Sequence, residues 1–151
     1  GGKLVQLVYF QTGAVSTGTT QMPADDTIPQ NTEGVEKMTL AITPASASNI
    51  LVIQMQAQLM TTAATSMSAA IFQDSTAGAL ASVITYQPTT NVNQALDVNH
   101  HMVAGTTSAT TFKLRVGTSG AVTTTFNGYS DGSRLHGGVM ASFIRIMEIE
   151  P

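Results

Sequence analysis

Three groups of residues in this sequence have types and spacings that chemistry could use. The first is His100-His101. Imidazoles ligate zinc or nickel, but neighbouring residues of a strand point to opposite faces, so the pair cannot chelate one ion within a regular strand. One of the two could reach a metal only by meeting its own copies around a symmetry axis, with Asp97 on the face of His101 as a partner. The simpler expectation is one exposed and one packed histidine, with no metal and no cofactor. The second group is Asp131, Ser133 and His136. Triad members come from separate elements and converge on a nucleophile held in a strained turn. Here they crowd into one loop without a Gly-x-Ser-x-Gly elbow, which reads as a solvated loop. The third is Asp25-Asp26 with Asn31 and Glu33. Their oxygens suit calcium, but the spacing matches no calcium loop and fits a polar segment held by Asx turns. The nine acidic residues are spread too thinly to select a pair for glycoside hydrolysis. No phosphate-cradling loop or His-Glu-x-x-His motif is present. With no cysteine, thiolate chemistry, disulfides and Cys-based zinc sites are excluded. The expectation is a protein that is not an enzyme.

Charge narrows the partners. Charged residues are 10% of the chain and the net charge is −3. The six basic residues, Lys3, Lys37, Lys113, Arg115, Arg134 and Arg145, form no patch for a phosphate backbone, so nucleic acid is not an expected partner. No apolar run approaches the ~20 residues of a spanning helix, so membrane insertion is not expected either. The start, Gly1-Gly2-Lys3, reads as an artificial or cut end of a longer protein. A surface of Thr, Ser, Ala, Gln, Asn and Gly suits a protein that is assembled or that meets sugars.

The elements that must position these residues are short strands separated by turn residues. Glu36–Thr43 alternates, with Met38, Leu40 and Ile42 on one face. Asn49–Thr61 alternates over a longer span, with Leu51, Ile53, Met55, Ala57 and Leu59 opposite Gln54, Gln56 and Gln58. Thr110–Gly117 puts Phe112, Leu114 and Val116 inward. Further strands are expected over Lys3–Gln11, Ser68–Gln73, Leu80–Tyr86, Ala95–Val103, Ala121–Phe126 and Val139–Ile149. Thr12–Gly34 reads as a long polar loop with room for one short strand, and Thr62–Ala70 allows a helical turn. Eight or nine strands at this spacing, in a chain of 151 residues, predict one all-β domain, an antiparallel jelly-roll-like sandwich.

The first and last strands differ from the rest in being apolar on both faces. In Lys3–Gln11, Val5, Leu7 and Tyr9 lie opposite Leu4, Val8 and Phe10. In Val139–Ile149, Ile144 and Ile146 lie opposite Phe143, Met147 and Ile149. A strand apolar on both faces is covered on both. The expectation is that the two strands pair in one sheet and that Val5, Leu7, Tyr9, Ile144 and Ile146 face a second subunit. Exposed aromatics and amides make sugar-binding surfaces, and loops on a rigid sandwich usually carry binding. Two loops have that composition, Tyr86–Asn93 and Asn127–His136. The candidate binding residues on and beside these loops, which would contact a receptor if the chain has one, are Tyr86, Asn91, Asn93, Asn127, Tyr129, Asp131, Arg134 and His136.

Six blocks, 3–14, 25–34, 40–44 (Leu-Ala-Ile-Thr-Pro), 72–76 (Phe-Gln-Asp-Ser-Thr), 110–115 and 124–128 (Thr-Thr-Phe-Asn-Gly), taken in order, resemble a group of phage and prophage virion proteins. These are tail fibre or receptor-binding proteins, and the resemblance runs over nearly the whole chain. It implies a β-sandwich in a tail appendage, typically a homotrimer at the C-terminal end of a fibre, in the virion and in contact with the host surface. The last strand, ending at Pro151, fits such a tip. The expected partners are copies of the chain, other tail proteins and a host glycan or protein. The resemblance supplies no catalytic residue. A purely structural virion module, such as a fibre cap or decoration protein, and a glycan-binding module unrelated to phage are the alternatives.

Overall fold

The structure, a computed structural model, describes residues Gly1–Pro151. It contains ten strands: β1 (Lys3–Thr12), β2 (Ser16–Gly18), β3 (Val35–Ile42), β4 (Ile50–Thr61), β5 (Thr65–Gln73), β6 (Ala81–Gln87), β7 (Gln94–Val103), β8 (Thr110–Thr118), β9 (Thr124–Phe126) and β10 (Ser142–Glu150). All paired strands are antiparallel. One sheet runs β1-β10-β4-β7, extended beside the far end of β4 by the three-residue strands β9 and β2. The other runs β3-β8-β5-β6. Apart from the β5–β6 hairpin, the eight main strands alternate between sheets along the chain, which is the connectivity of a jelly roll. The all-β sandwich expected from the pattern is the observed fold. The tenth strand is β2, the one short strand for which Thr12–Gly34 had room, and the strand expected over Ala121–Phe126 is reduced to the three residues of β9. Thr65–Ala70 is strand, not helical turn, because every second residue packs into the core between the sheets.

The core follows the alternation. Leu51, Ile53, Met55, Ala57 and Leu59 of β4 meet Met67, Ala69 and Ile71 of β5 and Phe112, Leu114 and Val116 of β8, all buried. Ile144 and Ile146 belong to the same cluster. Fully burying one such side chain stabilises by roughly 1.5–3 kcal/mol, so this one face carries much of the fold.

The outer faces of the two sheets are treated differently. The centre of the β3-β8-β5-β6 sheet is covered by the chain's own loop, residues 19–34, whereas the outer side of β6 leaves Ile84 and Tyr86 exposed. Met22 is buried on Ala70 and Phe72. Its N–H donates to the Thr118 carbonyl at 3.0 Å, the Gly34 N–H donates to the Gln21 carbonyl at 2.9 Å, and Arg115 donates to the Glu33 and Gly34 carbonyls. Within the chain, nothing of this kind lies over the outer face of the β1-β10-β4-β7 sheet.

The two chain ends sit together, with Lys3 opposite Glu150. The loop after β1, the β4–β5 and β6–β7 connections and residues 127–141 all lie at the opposite end, because those strands point that way.

Candidate functional site

The far end of the sandwich joins the two loops that composition singled out. Gln87, buried at the end of β6, donates through Nε2 to the carbonyls of Thr89 and Val92, which folds the β6–β7 loop back on itself. Its Oε1 has no partner. Asn91, in the left-handed region at φ 61°, accepts from the Ser130 hydroxyl, and Thr90 and Ser130 hydroxyls lie 3.1 Å apart. The second loop is pinned by a turn in which Asp131 Oδ1 accepts from the Ser133 N–H at 2.9 Å and hydroxyl at 2.6 Å. Those two donations hold the exposed Asp131 carboxyl below its ordinary range. Ser133 is therefore spent on Asp131, and the Asp131–Ser133–His136 grouping is an Asx turn followed by a short 3-10 turn at His136–Gly138. Four left-handed residues, Gly132, His136, Gly137 and Gly138, turn this loop over Gly13, Ala14 and Val15, leaving a shallow depression of about 550 Å³ beside Arg134.

Four of the eight candidate receptor-contacting residues, Tyr129, Asp131, Arg134 and His136, are exposed together on this loop. Val139, 82% exposed, joins them and was not anticipated. The other four are dispersed. Asn91 adjoins the group but its side-chain oxygen is used by Ser130. Asn93 turns away and donates to Gln58 Oε1 at 2.8 Å on the sheet face. Tyr86 lies beside Ile84 on the exposed outer side of β6, opposite Ser66 of β5. Asn127 is a correction: it is buried, with φ 59°, and all its polar capacity is used. Its Nδ2 donates to the Thr12 and Ala14 carbonyls, and its Oδ1 accepts from Ser142 Oγ. It locks β1, β9 and β10 together at the loop end and offers nothing to a ligand.

The second candidate surface is the outer face of the β1-β10-β4-β7 sheet. Register places its side chains in rows across the strands: Leu4–Ile149–Ile50–Val103, then Leu7–Met147–Val52–His101, then Tyr9–Arg145–Gln54–Asn99, then Gln11–Phe143–Gln56–Asp97. Val5 is the extra residue where the β1 register shifts. Leu4 (53%), Leu7 (47%), Tyr9 (72%) and Val103 (55%) are solvent-exposed. The expectation for Ile144 and Ile146 is overturned. Both are in the core because they pair with Met55 and Ile53, whose alternation is fixed by the opposing sheet. The apolar residues that β10 shows outward are Phe143, Met147 and Ile149. Towards the loop end the face is polar and internally ordered. Gln56 donates to Asp97 at 2.9 Å, Gln58 to Gln56 at 3.2 Å, and Arg145 Nε to Gln54 Oε1 at 2.8 Å. The Arg145 guanidinium also lies 5.5 Å from the Phe143 ring centre.

The histidines separate as a strand requires. His101 is on the outer face, and His100 is half-buried, facing the rim between the sheets. Their ring centres are 6.4 Å apart. Burial, and then the neighbouring His101, push the His100 imidazole below its ordinary value. Asp97 and His101 share a face as expected, but Asn99 stands between them along β7.

Glu148 is the residue that pattern reading missed. It lies inward on β10, fully buried. Its carboxylate accepts from Gln6 Nε2, Asn49 Nδ2 at 2.7 Å, and the Ala45 and Ser46 N–H groups. Burial pushes the carboxyl up, but these four donations outweigh it and the group sits below its ordinary range. Lys37, by contrast, is held below its ordinary value by burial while donating to Ser16 Oγ and the Thr17 carbonyl. An acidic residue in an alternating apolar strand was the available signal for Glu148.

No known family model matches the chain, and no curated protein does. Among solved structures, the dimeric latent PorU of Porphyromonas gingivalis aligns over 99% of this chain at 8% identity and TM-score 0.46. The enzymatically active domain of tailspike protein 4 from bacteriophage CBA120 aligns over 82% of this chain at 15% identity and TM-score 0.28. The aligned region spans 14% of the PorU chain and 19% of the tailspike chain.

Proposed function

We propose that this chain is an adhesion domain of a phage tail appendage, binding a cell-surface glycan or protein through the loop end of the sandwich, in several copies acting together. One observation carries the reading. The exposed group Tyr129, Asp131, Arg134, His136 and Val139 is held on a braced loop at the end of the domain opposite both chain termini. Any tether at the termini therefore leaves this end free to meet a surface. A guanidinium lining a shallow depression, with an aromatic ring and a carboxylate exposed on the same loop, supplies groups that grip sugar faces and hydroxyls. Each site is small, so useful strength comes from multivalency. The phage assignment rests on the six sequence blocks, and the trimer on the same resemblance.

The test is binding of labelled protein to a panel of bacterial cells and to a glycan array, with the variant Tyr129→Ala/Arg134→Ala beside the natural chain. Both side chains are exposed, so melting should be unchanged while affinity falls about tenfold or more, the cost of ~1.4 kcal/mol of lost contact. Equal binding by the double variant would move the site elsewhere. If neither protein binds any cell or glycan, the structural virion module, a fibre cap or decoration protein, becomes the better reading, since an uncovered sheet face suits it too.

A further inference from the structure

We infer that the outer face of the β1-β10-β4-β7 sheet carries a second binding site, in which Arg145, Tyr9 and Phe143 take a sugar that bears a carboxylate, a uronic or sialic acid unit. The site is separate from the loop-end group around Tyr129 and Arg134, and it stands or falls apart from that group.

Four observations select that ligand. First, the face has a depression of about 300 Å³ whose lining includes Leu7, Tyr9, Gln11, Phe143 and Arg145. This is the small end of the range for small-molecule sites, with room for a sugar ring rather than for a segment of protein. Second, Arg145 is exposed and already held. Its Nε donates to Gln54 Oε1 at 2.8 Å, and its guanidinium lies 5.5 Å from the Phe143 ring centre. Two contacts fix the fork, so it loses little freedom when it grips a ligand. Third, the fork lacks an acid. Its partner at Nε is a neutral amide, and its two Nη groups are left for a ligand. Asp97, the carboxylate on this face, lies across β4 in the next row and accepts from Gln56. A pair of Nη donors matches the two oxygens of a carboxylate. Fourth, Tyr9, 72% exposed, stands beside Arg145 in one row and diagonal to Phe143 in the next. Diagonal neighbours are roughly 7–8 Å apart, near enough for a sugar laid on the Tyr9 ring to put its carboxylate on the fork. The side-chain amides of Gln11 and Gln54, in the same two rows, are there for hydroxyls. Of the two apolar rows nearer the termini, the site borrows only Leu7. A neutral sugar would stack on Tyr9 but leave the fork unpaired, and a bare inorganic anion would pair with the fork but leave the rings wet.

The test is a titration of the natural chain followed by the NMR signals of its backbone amides and of Arg145 Nε. Three probes are used: a glucuronate oligosaccharide, a sialic acid oligosaccharide and a neutral glucose oligosaccharide. One ring held by one charge pair binds at about millimolar strength. At least one acidic probe is expected to shift Tyr9, Phe143 and Arg145 saturably, tenfold or more tighter than the neutral probe, and more weakly as salt rises. Which acid binds identifies the kind of sugar. Arg145→Gln and Tyr9→Ala should each lower that affinity tenfold or more while the amide spectrum away from the site stays unchanged. Arg145→Lys should fall between Arg145→Gln and the natural chain, because the charge stays and the fork is lost. The inference is overturned if neither acid moves these signals, if the neutral probe binds as well, or if Arg145→Gln binds the acid as the natural chain does. Shifts centred on Tyr129 and Arg134 instead would also overturn it, and would put the acid at the loop end.

Discussion

At the scale of single residues, the chemistry here is positional, and Glu148 is the clearest case. A carboxylate removed from water is tolerable only when donors surround it. Gln6 on β1, Asn49 before β4 and two N–H groups of the turn at Ala45–Ser46 do so, and the carboxylate ties together the end of the sandwich that carries both termini. Glu148→Gln keeps the shape but points an N–H₂ at groups that are themselves donors. It is expected to cost about 2–4 kcal/mol at pH 7, read as a lower urea midpoint. The pH dependence has a definite sign. The folded-state pKa is depressed, so the contribution is fully present above the ordinary carboxylate value of about 4.3 and is lost as pH falls through the folded value. The gap between Glu148→Gln and the natural chain should therefore be full at pH 7 and narrow below pH ~4. A gap independent of pH would mean the carboxylate is not the charged acceptor described.

At the scale of elements, alternation fixed most of the fold in advance. The core faces of β3, β4 and β8 could be read directly, since only one face of each is apolar. The same logic broke down for β10, where Ile144/Ile146 and Phe143/Met147 are equally apolar and only pairing with β4 decides which pair turns inward. It broke down for Asn127 because the carbonyls that consume its amide, Thr12 and Ala14, are more than a hundred residues away in sequence. Met22 was invisible for another reason: one buried side chain in a polar loop has no period. The loop it anchors makes a testable element. Gly117 lies beneath it, and an added Cβ would come within 2.9 Å of Met22 Cβ and 3.0 Å of the Met22 N and Gly34 Cα. Two of those atoms are backbone and cannot yield alone. Gly117→Ala is expected to lift residues 21–34 from the sheet, speeding amide exchange at Met22 and Gly34 and lowering stability by about 1–3 kcal/mol. Unchanged protection at both amides would show that the loop does not cover the sheet in the way described.

At the scale of the whole molecule, the loop that covers the centre of the β3-β8-β5-β6 sheet has no counterpart over the outer face of the β1-β10-β4-β7 sheet. The chain can fold by itself, since at this length it buries roughly 70% of its unfolded surface. If copies meet on the open face, as the multi-copy adhesion reading proposes, the stability they add depends on concentration. For a trimer whose unfolding is coupled to dissociation, mass action makes the melting midpoint fall on dilution. With an enthalpy near 0.7 kcal/mol per residue summed over three chains, a tenfold dilution should lower the midpoint by about 3 °C. Leu7→Glu, which leaves the core untouched, should melt at a lower temperature that no longer moves with concentration. Calorimetry over a hundredfold range of concentration separates the cases. A natural chain whose midpoint ignores dilution while its mass stays trimeric would mean that the subunits unfold before they part. The open face would then bind copies without contributing to the cooperative unit. If the midpoint moves and Leu7→Glu abolishes the movement, the uncovered rows of β1, β10, β4 and β7 are where assembly adds to folding.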